Sequence, residues 1–287
     1  MALLAIVFFL LPVSPAASGF AAASTYAPAG DASRLAPRSP NGAPESTYTP
    51  AGSASAAASA ALRLSGTLRL AVAANFRAAF EELAREFEGG HGIALSPAYG
   101  SSGLLAAQIR QGAPFDAFFS ADTARPDALV SDGLAIPPVT VYVRGRLALR
   151  TRGTSGASPS AGIRRIGIAN PELAPYGAAA MQCLERLGVL DRLRVRLVFG
   201  NNVNQVNHFL ESGALDLGFV ALSQLVARNT PPESYWVCPA AFHAPIAQGA
   251  VILQRSGQTA SSRALLRFMT EPATLARLER LGYLPGD

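Results

Sequence analysis

Between Thr67 and Ala121 the chain alternates between strand and helix, and each change of texture passes through a turn of small polar residues. TLRLAVA (67–73) alternates and then becomes continuously apolar, the pattern of a strand entering a core. After Asn75, the residues Phe76, Phe80, Leu83 and Phe87 recur at helical spacing, with Glu81, Glu82, Arg85 and Glu86 on the other face. IALSPA (93–98) predicts a second strand. GSSG then opens a helix carrying Leu104, Leu105 and Ile109, and FDAFFSA (115–121) reads as a buried third strand. Strands and helices in this order build an α/β sheet with right-handed crossovers. The aromatic and leucine stripes are core.

A second unit repeats the texture. VTVYVRGRLALR (139–150) is a long extended segment, RRIGIA (164–169) a strand, and Tyr176 to Leu187 a helix. RVRLVF (194–199) predicts a strand, Val203 to Leu210 a helix and DLGFVA (216–221) a strand. AQGAVILQ (247–254) is one more strand, followed by helices over 260–270 and 272–281. The order predicts two lobes: 66–142 as lobe 1, with 243–287 returning to it, and 143–242 as lobe 2. A ligand would then sit in the crevice at the carboxyl ends of the strands.

Ahead of this region, Ala2–Val13 is a nearly unbroken apolar run followed by the small residues SPAASGFAAAS. That pattern predicts a signal peptide over 1–23 and an exported, periplasmic protein. The run is short for a membrane span, which needs about 20 apolar residues. The usual positive n-region is missing, so an uncleaved anchor stays open. No Cys follows the run, which argues against a lipid anchor. Residues 24–65 are a low-complexity Ala/Ser/Pro/Gly tether, in which STYAPAG returns as STYTPAG; too few large apolar side chains are present to offset ordering entropy.

The net charge of +5 comes from 24 basic residues, all arginine, scattered singly or in pairs. There is no basic tract, which argues against nucleic acid as a partner. The three histidines are widely separated and nominate no zinc site. Cys183 and Cys238 allow a single pairing that no spacing signature supports; two separate buried thiols are the expectation.

The chemistry lies in the turns AANF, GSSG, APYG and GNNV. Asn and Ser at such places can simply cap the following helix. The same helix starts also present unpaired N–H groups and the positive end of the macrodipole, which together bind anions. Each hydrogen bond to a charged partner contributes roughly 1.5–3 kcal/mol. Several converging turns could therefore hold a desolvated oxyanion with neutral donors alone. GSSG is no nucleotide loop, because GxxxxGK[ST] is absent and the chain contains no lysine. It is no serine-hydrolase elbow, because GxSxG is missing.

The series LAVAANF, YGSSGLLAAQIRQGAPFDAFFSADT, IANPELAPYG and FGNNVNQ…LDLGFVALSQ resembles the periplasmic molybdate-binding proteins of ABC importers. The resemblance covers Thr67 to Leu284. It implies a two-lobed type II periplasmic-binding-protein fold, not an enzyme, that closes on molybdate or tungstate and delivers it to a membrane permease. It implies no cofactor and a monomer. Carried over by motif, Asn75 supplies a side-chain donor, Ser102 the second-turn hydroxyl with Ser101 beside it, and Tyr176 and Val203 main-chain N–H groups. These residues would reach the metal only through the anion's oxygens, without direct ligation. Ala221 departs from the pattern, since some members carry a Tyr there whose hydroxyl touches the anion; the Tyr176 phenol is the expected substitute.

Asp116 and Asp122 are expected to cap turns, Arg77 to be a solvated helix residue, and Asn202 to cap its helix. Sulfate or phosphate binding, an oxyanion-hole enzyme and a membrane-tethered sensor are the rival readings. The enzyme lacks a Ser–His or Cys–His spacing to nominate a nucleophile.

Overall fold

The structure, a computed structural model, describes residues 66–151 and 163–286. The leader expected at 1–23 and the tether at 24–65 lie outside the described residues. Strand β1 (Thr67–Ala73) leads through a 3-10 turn at Ala74–Phe76 into helix α1 (Arg77–His91). Phe80, Leu83 and Phe87 are buried along one face of α1. The helix ends at Gly92, whose φ of 66° is the left-handed cap that glycine adopts without strain. Next come β2 (Ala94–Gly100), α2 (Ser102–Arg110), β3 (Ala117–Phe119), α3 (Ala124–Ser131) and β4 (Ala135–Gly145).

The chain then changes sheet. β5 (Leu147–Thr151) and β6 (Ile166–Ala169) precede α4 (Pro175–Arg186), α5 (Leu190–Leu193) and β7 (Leu197–Gly200). They are followed by α6 (Val203–Glu211), β8 (Leu217–Ala221), α7 (Leu222–Ala227) and β9 (Tyr235–Val237). β10 (Ile246–Leu253), α8 (Thr259–Met269), α9 (Pro272–Arg280) and β11 (Leu284–Pro285) close the fold.

The first sheet runs β11-β4-β10-β3-β1-β2 and the second β7-β6-β8-β5-β9. β1 pairs in parallel with β2 and β3, while β10 returns antiparallel between β3 and β4. In the second sheet β6 pairs in parallel with β7 and β8. The chain leaves the first sheet at Arg146 and re-enters it at Ile246, and Gly145 and Ile246 face each other in the β4–β10 ladder. The two crossovers therefore run side by side. The expected lobe boundary at 142/143 falls inside β4.

Three expectations are corrected. The extended segment 139–150 is two strands in different sheets, not one. Within 194–199, Arg194–Arg196 is a 3-10 turn and the strand begins at Leu197. Its partner β6 begins at Ile166, paired with Leu197, so nothing is available to hold the preceding residues extended, and Val195 is 91% exposed. Cys183 and Cys238 are not separate thiols but a disulfide. β9 pairs with β5, and the Cys238 N–H donates to the Leu147 carbonyl at 2.9 Å. That register brings Cys238 against the buried face of α4, where Cys183 lies. A separation of 55 residues left no local signature.

Closing a loop of that length restricts the unfolded chain enough to stabilise the fold by about 4 kcal/mol. The double variant Cys183→Ala/Cys238→Ala is expected to lose that much in denaturant unfolding, and reductant should then have no further effect on it.

Candidate oxyanion site

The site is assembled from four turns, each leaving the carboxyl end of a parallel strand: β1 and β2 in the first sheet, β6 and β7 in the second. They converge on one cavity lined by Ala73, Ala74, Asn75, Gly100, Ser101, Ser102, Ala121, Ala174, Pro175, Tyr176, Asn202 and Val203. All five residues singled out in the sequence line it. The cavity is small, about 10 Å³. Drug-sized ligands occupy pockets of roughly 300–1,000 Å³, so this one suits a single compact ion. None of the lining side chains is charged.

The turns differ in how they use their donors. Asn202 caps α6 as expected, accepting from the N–H groups of Asn204 at 3.0 Å and Gln205 at 3.1 Å. Val203, the first residue of that helix, keeps an N–H with no intrahelical acceptor. In α4, Pro175 fills the first position, where its missing N–H costs nothing, and Tyr176 is the second residue. No side chain caps that helix, so the Tyr176 N–H also lacks a helical acceptor.

Ser101 precedes α2, yet its hydroxyl does not cap the helix. The residue is 3% exposed and its Oγ has no hydrogen-bond partner. A buried, unpaired hydroxyl costs about 1–3 kcal/mol, and here it stands at the wall of the cavity. Ser102 Oγ accepts the Ala121 N–H at 2.9 Å, leaving its own proton to donate.

Asn75 is 3% exposed in the 3-10 turn, and its Nδ2 donates to Gln248 Oε1 at 3.0 Å. One amide hydrogen is thereby used, and the same amide also hydrogen-bonds to the Tyr176 phenol. Gln248 is wholly buried; its Oε1 also accepts from the Tyr142 hydroxyl at 3.2 Å, and its Nε2 donates to the Tyr176 hydroxyl at 3.4 Å. Tyr283 donates to the Asn75 carbonyl at 3.2 Å.

The Tyr176 phenol is thus drawn into this network. A Cβ at Gly145 would lie 2.1 Å from its oxygen, so only glycine leaves room for it. Neither Gly145 nor Gln248 lines the cavity. The phenol expected to replace a hydroxyl at position 221 thus accepts from Gln248 and sits beside Gly145. Ala221 does not line the cavity, and its N–H donates to Gln224 Oε1 at 3.1 Å.

Other residues fall as expected. Asp116 accepts from the Arg69 N–H and the Ser256 hydroxyl, both at 2.8 Å. Asp122 accepts from the Ser120 hydroxyl and the Arg125 N–H. Arg77 pairs with Glu81 at the surface. The network of Gln248, Tyr142 and Tyr283 was missed in the sequence; its one visible signal is Gln248 inside the otherwise apolar AQGAVIL. Among the described residues no group of His, Cys, Asp and Glu could hold a metal ion, and no helix is long and apolar enough to cross a membrane.

The profile of the bacterial extracellular solute-binding proteins matches residues 68–284. The chain belongs to that family. Within it, the chain is 35% identical over 226 residues to the molybdate-binding protein ModA of Rhodobacter capsulatus, covering 77% of this chain and 89% of that relative. It is 33% identical to the ModA of Azotobacter vinelandii over 224 residues, covering 75% and 89%. The solved periplasmic molybdate-binding protein of Azotobacter vinelandii superposes with a TM-score of 0.70 at 38% identity, covering 76% of this chain and 98% of that one. Members of the family are solute-binding proteins rather than enzymes, and the solved neighbours have the two-lobed α/β architecture described above.

Burial pushes the phenols of Tyr142, Tyr176 and Tyr283 above the ordinary tyrosine range; at Tyr176 hydrogen bonds from Asn75 and Gln248 partly oppose this. A group raised in the fold stabilises it fully below its unfolded pKa, about 10 for tyrosine, and that stability is lost as pH climbs past it. Stability should therefore hold to about pH 9.5 and fall above about pH 10, and absorbance at 295 nm should show these phenols ionising only with unfolding.

Proposed function

We propose that this protein captures molybdate or tungstate outside the cytoplasm and delivers it to the permease of an ABC-type importer. The observation that carries this reading is the Ser101 hydroxyl: buried, unpaired and at the wall of a small, charge-free cavity ringed by helix starts. The donors that would hold the anion are the side chains of Asn75, Ser101 and Ser102 with the N–H groups of Tyr176 and Val203. No carboxylate lines the cavity to repel a dianion. Two relatives above 30% identity over three quarters of the chain are named as molybdate-binding proteins, which supports the choice of ligand.

Mechanistically, the anion would exchange its hydration shell for preset N–H and O–H groups as the lobes close. Five to seven charge-assisted hydrogen bonds of roughly 1.5–3 kcal/mol each, less the cost of association, give micromolar to nanomolar affinity. Fixed dipoles in a closed cavity select by size. Sulfate and phosphate share the tetrahedral shape and are the competing ligands.

Isothermal titration with molybdate, tungstate and sulfate tests the reading. Heat from the first two and none from sulfate is expected; heat from sulfate alone transfers the assignment, and silence for all three contradicts it. Asn75→Ala, Ser101→Ala and Ser102→Ala should each weaken binding by about 1–3 kcal/mol. Ser101→Ala should leave the ligand-free protein at least as stable as before, because it deletes an orphaned hydroxyl.

A further inference from the structure

Besides the ligand cavity and the Gln248 network behind it, the two lobes meet at a further polar contact. Gly103, the second residue of α2, donates its N–H to the Leu173 carbonyl at 2.8 Å, from the first-sheet lobe to the turn after β6. Beside it, Arg125 at the start of α3 donates from Nη2 to the Glu172 carbonyl at 2.8 Å. The Arg125 guanidinium is held in place by an ion pair with Asp122, its own neighbour in the turn before α3. Gly103 and Arg125 do not line the cavity.

Gly103 also has a steric reason to be glycine. A Cβ there would lie 3.0 Å from both the Cα and the carbonyl oxygen of Leu173, and 3.3 Å from Arg125 Nη2. The backbone is helical, so the glycine is not required by its own conformation. Alanine would favour the helix. The residue that weakens α2 by itself is the one that allows the opposing backbone to approach.

We propose that Gly103 and Arg125 form a latch that fixes affinity for the bound anion by stabilising the closed arrangement of the lobes without touching the ligand. The inference rests on the reading of the protein as an oxyanion binder. Both hydrogen bonds end on main-chain carbonyls of consecutive residues, Glu172 and Leu173, so the latch depends on backbone position and not on the side chains of that turn. Interactions present only in the closed state raise its population and slow ligand escape. They need not alter the rate at which an open cleft meets the anion.

Gly103→Ala and Arg125→Ala, each in the full chain, give the test, with molybdate as the probe and stopped-flow and titration as the readouts. Arg125→Ala should release molybdate about fivefold faster, with association unchanged within about twofold. Gly103→Ala should bind about tenfold more weakly while its ligand-free melting temperature stays level or rises, a pairing of signs that loss of fold cannot produce. Unchanged dissociation in both variants, with wild type binding normally, overturns the latch. Wild type that binds no oxyanion refutes the functional reading instead. X-ray scattering of the ligand-free proteins then judges the latch on its own: a larger radius of gyration in either variant supports it, and equal radii overturn it.

Discussion

An anion entering a closed cleft gives up its water, and each lost hydrogen bond must be replaced by a donor already in position. In the proposed reading of this protein the replacement comes from the open ends of helices. An N-terminal turn has N–H groups that the helix cannot use, and burying them without a partner would be costly. The Val203 and Tyr176 N–H groups, the orphaned Ser101 hydroxyl and the free proton of Ser102 share this condition. A bound anion would relieve all of them together. With no charged side chain in the lining, the proposed selection would rest on the dipoles alone.

The rest of the fold serves to aim those helix starts at one another. Parallel strands in both sheets send their carboxyl ends to the same crevice, and the chain passes between sheets twice at adjacent points, Gly145 and Ile246. Behind the cavity, Gln248 ties Asn75 in one lobe to Tyr176 in the other. The disulfide pins the segment leading back to β10 onto α4, the helix that begins at the site. The donors and the joint between lobes are therefore mechanically connected.

Much of this was legible in the sequence because it is local. Strand periodicity, the Phe76–Phe87 stripe and small polar residues at helix entrances each depend on neighbours within one or two turns. The same locality explains the failures. RVRLVF reads as a strand, but three of its residues have no partner strand beside them. The Cys183–Cys238 pairing depends on the β5–β9 register. The contacts of the Tyr176 phenol with Gly145 and the amide of Gln248 join residues far apart along the chain. The Gln248 network carries no spacing at all; only tertiary structure brings residues 75, 142, 176, 248 and 283 together.

The central claim is a cage of uncharged donors supplied by both lobes. A crystal structure of the protein grown with molybdate tests it most directly. The account predicts the anion within hydrogen-bond distance of Asn75, Ser101, Ser102 and the N–H groups of Tyr176 and Val203, with no arginine in contact. An anion clamped by arginine, or bound away from these four turns, would contradict it.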